Sequence, residues 1–289
     1  MALRVAYLGP PGTFSHEALE TVPGSAGFEL LETGSIHAAV MAVQDGGADR
    51  ALVPLENSLE GSVRVTLDAL AVDAPDVEIV GEVRHPVHHC LVAPGRVALT
   101  AVTVVRSHPQ GLAQCAEFLR RELPAARVVT VASTAEAVRE VAHTGEGAAI
   151  GSRAAADRYG AVVLREAVED VAGNETRFAW LAPAGQAATE LHGSERDPAP
   201  RVFRTALVWW GEGSTSPGWL VRCLSEFAFR GVNLTRIESR PLRRPGSREY
   251  MFFVDADGPA GDAPLAAAIE GLGVHAKVVR VLGSYPTAG

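Results

Sequence analysis

The sequence predicts an α/β protein built in two parts, a large N-terminal α/β region and a smaller C-terminal module. Three observations lead there. Apolar strand-like runs alternate with two-faced helical runs through about residue 180, the pattern of a largely parallel sheet with helices on its faces. Residues 182–202 then read APAGQAATELHGSERDPAPRV, polar and without a period, the composition of a linker. Beyond it the order is βαββαβ, the ferredoxin-like pattern. The expected boundaries are 1–183 for the first part, 184–202 for the linker and 203–289 for the module.

Taken in order, the expected strands of the first part cover 4–8, 51–54, 77–83, 102–106, 127–131, 148–151 and 178–181. Each is a short apolar run bounded by turn residues. Helices start after Ser35, after Ser107 and after Ser133, where Glu136 stands three residues on at the spacing of a capping box. In the module the expected elements are strand 205–210, helix 217–230, strands 232–240 and 248–255, helix 264–272 and strand 276–282. Pro217 and Gly231 punctuate the first of those helices at its start and stop.

Composition narrows the class of function. At 289 residues and 47% hydrophobic the chain can bury a core unaided. Cys90, Cys115 and Cys223 form no CxxC pair and sit in apolar segments, which speaks against disulfides and zinc and for the cytoplasm. MALRVAYLG lacks the shape of a signal peptide, and no stretch is long enough to span a bilayer. A net charge of −8 with scattered basic residues disfavours nucleic acid. A small-molecule ligand is expected, with no membrane partner.

Four stretches sit where a strand meets a turn or a helix. Gly9-Pro10-Pro11-Gly12-Thr13-Phe14-Ser15 opens a helix, so its amides suit an anion; read alone, Thr13 or Ser15 is a cap. It carries no lysine and is not a phosphate loop. Glu56-Asn57-Ser58 follows an apolar strand, a position where parallel sheets bind ligands, and it also reads as an ordinary polar turn. In Ser107-His108-Pro109-Gln110, Ser107 reads as a helix cap, while Gln114, one turn further in, is a candidate ligand contact. Thr176 and Arg177 are neighbours in a strand and point to opposite faces unless the strand bends; Arg177 offers a fork to a carboxylate or a structural ion pair. His85, His88 and His89 tempt a metal reading, but no carboxylate or cysteine set completes a site. No metal and no nucleophile elbow is expected.

In order and wording these stretches resemble prephenate dehydratase. The matching segments are Gly9 to Ser15, Glu56 to Val63, Ser107 to Cys115 and Thr176-Arg177-Phe178. The module resembles an ACT regulatory domain, most specifically from Arg230 to Pro241, and the likeness runs from Ala6 to about Pro286. It implies a two-lobed catalytic domain like the periplasmic binding proteins, with the active site between the lobes. The implied reaction is decarboxylating dehydration of prephenate to phenylpyruvate without a cofactor, the reading preferred over arogenate dehydration or a non-catalytic sensor. By resemblance Thr176 is catalytic, with Asn57, Ser107, Gln114 and Glu56 beside it, while Thr13, Ser58, Arg177 and Phe178 hold substrate. L-phenylalanine is the implied effector, at Gly218, Trp219, Leu220, Asn233, Leu234, Glu238, Ser239, Arg240 and Pro241, between modules of a homodimer or homotetramer. Where the family reads Gly-Ala-Leu this chain has Trp219 in the middle place; an indole there fills the small pocket, reshapes it or faces away from it, and inhibition weaker than the family's is expected.

Overall fold

The computed structural model describes residues 2–186, 202–242, 246 and 248–287. Most of the expected linker, 187–201, lies outside the described residues. The first lobe holds β1 (Arg4–Leu8), α1 (Phe14–Glu20), β2 (Glu29–Thr33), α2 (Ile36–Gln44), β3 (Arg50–Asn57), β4 (Gly61–Ser62), α3 (Arg64–Asp68) and β5 (Val77–Pro86). The second holds β6 (Cys90–Ala93), β7 (Val104–Ser107), α4 (Pro109–Gln114), α5 (Ala116–Glu122), β8 (Arg127–Thr130), α6 (Thr134–Thr144), β9 (Ala148–Gly151), α7 (Arg153–Tyr159) and β10 (Val162–Arg165). The chain then returns to the first lobe as β11 (Glu175–Pro183). The module follows as β12 (Phe203–Trp210), α8 (Trp219–Ala228), β13 (Leu234–Pro241), β14 (Tyr250–Asp257), α9 (Ala263–His275) and β15 (Val278–Pro286).

Instead of one largely parallel sheet there are two mixed ones. The first runs β2-β1-β3-β11-β5 and the second β10-β6-β9-β7-β8. β1 is parallel to β2 and β3, but β11 is antiparallel to both β3 and β5. The antiparallel strand is the one that crosses back from the other lobe, so the sheet cannot be made of βαβ units alone. Two crossings, 87–89 and 166–174, join the lobes and bring the ends of their strands to a common cleft.

Helix starts follow the local chemistry expected of them in two cases of three. Ser35 accepts from the Ala38 amide at 3.1 Å and Ser133 from the Glu136 amide at 3.0 Å. Ser107 does not cap: the N-cap of α4 is His108, and the buried Ser107 hydroxyl donates to Ile150 O at 2.7 Å.

The module sheet runs β13-β14-β12-β15, antiparallel throughout. It shares a core with the first lobe, in which Val208, Phe253, Leu282 and Tyr285 pack with Ile79, Ala179 and Leu181. Here β15 lies on β5 so closely that a Cβ at Gly283 would collide with the Ile79 carbonyl oxygen. Gly283→Ala is therefore expected to destabilise the protein by about 1–3 kcal/mol, read as a lower denaturation midpoint. An unchanged midpoint would show that the two sheets separate freely there.

Candidate active site

Four helices of the two lobes turn their N-terminal ends toward the cleft, where they wall a cavity of about 290 Å³. That is close to the lower end of the range for small-molecule sites. Leu8, Phe14, Ile36, Pro54, Val87 and Phe178 supply an apolar wall. Polar groups converge on it from both sides: Thr13, Asn57 and Thr176 from the first lobe, His108, Gln114 and Thr134 from the second. No aspartate, glutamate, lysine or arginine is among the described residues that line it. The helix starts add peptide dipoles there, since first-turn amides of a helix carry partial positive charge.

Strand alternation puts Thr176 and Phe178 on the cavity face of β11 and Arg177 on the other. Thr176 pairs with Asn57 of β3, and a register shift follows between Arg177 and Phe178. The Asn57 amide is fully committed. Its Nδ2 donates to Thr176 Oγ1 at 3.0 Å and to Glu175 O at 3.3 Å, and its Oδ1 accepts from the Leu59 and Glu60 amides at 3.1 and 3.2 Å. Thr176 Oγ1 thus already accepts a hydrogen bond, and among the described residues it donates to none.

Gln114 is pinned as tightly. Its Oε1 accepts from His89 Nε2 at 2.9 Å and Asn174 Nδ2 at 3.3 Å, and its Nε2 donates to Glu60 Oε1 at 3.4 Å. The last bond links the two lobes across the cleft. Thr13 caps α1, accepting from the His16 amide at 3.4 Å and donating to Leu8 O at 2.8 Å, and it also lines the cavity.

Four expected site residues lie elsewhere. Ser107 stays one layer behind the wall, where a Cβ at Gly111 would meet its Oγ at 2.9 Å. Ser58 ties turn to turn, donating to Asn174 Oδ1 at 3.1 Å and accepting from the Glu175 amide at 3.0 Å. Glu56 and Arg177 point away from the cavity and pair with each other at 2.9 Å. The physical reason is alternation: a strand that offers Asn57 and Thr176 to one face must turn their neighbours to the other.

The effector stretch is likewise divided. Ser239 and Pro241 of β13 are exposed, whereas Arg240 is buried and holds Asp68 of α3 through two bonds at 2.8 and 2.5 Å. Glu238 lies 3.9 Å from Arg236, and Asn233 donates to Asp257 at 2.8 Å. Gly218 caps α8 in a left-handed conformation, φ 73°, and Leu220 and Leu234 pack against the module core. Trp219 belongs to that core, as discussed below.

Several lining residues were not singled out from the sequence, among them His108 and Thr134, while His89 was weighed only as a metal ligand and Gln110 as a donor beside Gln114. Residues 87–89 link β5 to β6, and His89 turns inward to Gln114 while His88 is exposed beside Glu169 at 2.9 Å. Thr134 carried a usable signal, because the Ser133 cap follows a strand end as the other motifs do.

Burial lowers the pKa of His89, against the opposing effect of its bond to Gln114, and burial lowers that of His108 too. A folded pKa below the unfolded value of about 6.5 means that the unfolded chain takes up protons first as pH falls. Stability contributed by these rings is therefore fully present above pH ~6.5 and lost below it. The unfolding midpoint is expected to fall between pH 6.5 and 5.5, and to fall less steeply in His89→Gln. An identical slope in the variant would contradict this.

Comparison with known proteins agrees with this geometry. The family model described as prephenate dehydratase matches residues 5–186. A prephenate dehydratase of Amycolatopsis methanolica is 38% identical over 99% of this chain and 89% of its own. Arogenate dehydratase 5 of Arabidopsis thaliana is 37% identical over 98% of this chain and 67% of its own. Among solved structures, the prephenate dehydratase of Arthrobacter aurescens in complex with L-Phe superposes with a TM-score of 0.86 at 36% identity, covering 98% of this chain and 90% of that one. GqqA, described as a quorum quenching acylase, superposes at 0.80 and 31% identity, covering 99% and 98%. With residues 5–186 matched by the family model and relatives aligned across nearly the whole chain, the protein belongs to the prephenate dehydratase family.

Proposed function

We propose that the chain is a lyase that converts prephenate to phenylpyruvate, carbon dioxide and water, with Thr176 at its centre. The observation that carries this reading is the Thr176–Asn57 pair at 3.0 Å. An amide bond into Oγ1 fixes the hydroxyl and leaves its own proton to be donated into the cavity. The leaving hydroxide of prephenate needs one proton. As the ring C–COO⁻ bond breaks, its electrons enter the ring and expel the hydroxyl, which leaves as water with the proton passed through Thr176 and replaced from solvent. Phe14, Phe178 and Val87 give the ring carboxylate a weakly solvating wall, which favours its loss as neutral CO2. The amides of the helix ends hold the side-chain carboxylate without a cation.

Two other activities occur among the relatives, and the cavity favours neither. Arogenate carries an ammonium group, for which no described lining residue supplies a carboxylate. Acyl hydrolysis needs a nucleophile beside a base. Here Ser107 Oγ is spent on Ile150 O, Thr176 faces an amide donor, and burial pushes the Cys90 thiol up to about 11. For the C-terminal module we propose an ACT regulatory role with phenylalanine as effector and a homo-oligomeric assembly. The edge strand β13, with Ile237 exposed, supports that reading. The chain's three buried free cysteines suit a reducing, cytoplasmic setting; no helix among the described residues is long and apolar enough to cross a membrane. The test is to offer prephenate and arogenate separately to purified protein. Prephenate is expected to give the higher kcat/KM by at least about tenfold, and the reverse preference would overturn the substrate assignment.

A further inference from the structure

On the face of the first sheet that looks away from the cavity lies a buried ion cluster shared with the C-terminal module. Arg177 is 5% exposed and Asp255 of β14 is 1% exposed. Arg177 donates Nη2 to Asp255 Oδ2 at 2.8 Å and to Glu56 Oε2 at 2.9 Å, and Nε to the same Glu56 oxygen at 3.2 Å. Its Nη1 donates to Glu82 Oε2 at 3.2 Å and Tyr285 Oη at 3.4 Å. A guanidinium has about five N–H donors, and these five bonds use them all. Arg177 therefore has no fork left for a substrate carboxylate. The other Asp255 oxygen accepts from Arg236 Nη2 at 2.8 Å, and Arg204 closes on Glu82 at 2.8 Å.

The cluster is placed back to back with the catalytic pair. Glu56 precedes Asn57 and Arg177 follows Thr176, so each residue of the pair has a chain neighbour clamped on the opposite face of the same two strands. We infer that Asp255 is a positioning residue for the reaction, which holds β11 against β3 through Arg177 and Glu56 so that Thr176 presents its hydroxyl to the substrate. The module thereby acts on the active site through a side chain that touches no part of the cavity. The pairing supports a fixed geometry: Arg177, Arg204 and Arg236 each bond to one or more of Glu56, Glu82 and Asp255. Burial alone would raise the Asp255 pKa, but Arg236 and Arg177 hold it well below the usual carboxylate range, so the clamp stays charged.

This inference rests on the prephenate reading, so its test includes a measurement that does not need turnover. Asp255→Asn is compared with Asp68→Asn, which breaks the Arg240 bridge of the same lobe–module junction without touching Arg177. Asp255→Asn is expected to lower kcat by roughly 10- to 100-fold with KM within about threefold, while Asp68→Asn leaves both within about threefold. Arg177→Lys, which retains the charge but loses the fork, is expected to show the same kcat-selective loss, and it serves if Asp255→Asn does not fold. Hydrogen exchange in peptides covering β3 and β11 is expected to quicken in Asp255→Asn and not in Asp68→Asn. Equal losses in the two aspartate variants, or a rise in KM with unchanged kcat in Arg177→Lys, would overturn the positioning role. If the wild type does not turn over prephenate, the functional reading fails, and the exchange comparison still decides the clamp: wild-type exchange in Asp255→Asn overturns it.

Discussion

Thr176→Ala is expected to lower kcat for prephenate by roughly 10- to 10,000-fold, with KM within a few-fold of the wild type. The range is that of a lost proton donor to a leaving group. The structure argues for a loss felt in kcat because the hydroxyl is anchored from behind by Asn57 at 3.0 Å and faces a cavity with no charged side chain among its described lining residues. Removing it also strands one of the two Asn57 Nδ2 protons, leaving the other on Glu175 O at 3.3 Å. In the proposed mechanism the helix-end amides and the apolar wall hold the ground state. Thr176→Ser keeps the donor and is expected to recover most of the lost rate. An alanine variant with turnover within twofold of the wild type would remove Thr176 from the chemistry.

Trp219→Ala is expected to destabilise the protein by about 3–5 kcal/mol, the range for emptying a buried aromatic site. The indole is 4% exposed, lies 5.6 Å from the Phe252 ring centroid, and donates Nε1–H to His275 O at 2.7 Å, at the end of α9. It ties α8 to α9 over the module sheet, where Phe227 and Leu272 complete the core. A chemical denaturation curve measures the effect, and a change below about 1 kcal/mol would mean the indole is not a core residue in solution. This placement changes the regulatory expectation. Of the three alternatives for the indole, filling the pocket, reshaping it or facing away, its inward packing matches the last, so the ground for weak phenylalanine inhibition is lost. Trp219→Ala is consequently a stability variant, not a way to enlarge an effector pocket.

How far the sequence could be read depended on distance along the chain. Turn-and-cap chemistry is local, so the starts after Ser35 and Ser133 and the βαββαβ order of the module were legible. Strand pairing is not local. That β11 returns from the second lobe to lie between β3 and β5 depends on residues far apart in sequence. β6 escaped notice because a strand of four residues buried on both faces shows no period. The same limit governed the site. Asn57, Gln114 and Thr176 were placed by motif and do converge on the cavity. Glu56 and Arg177 belonged to the same motifs; alternation turns them from the cavity, and the neighbouring module supplies Asp255 and Tyr285 as partners of Arg177 on that far face. His89 was weighed as a metal ligand and set aside; its partner Gln114 lies 25 residues on.

The most direct test of the central claim is to mix the purified wild-type protein with prephenate alone and follow phenylpyruvate and CO2 together. The account predicts the two products in equal amounts, with no cofactor added, at a rate that collapses in Thr176→Ala. Absence of phenylpyruvate from prephenate at neutral pH, by a protein shown to be folded, would contradict it.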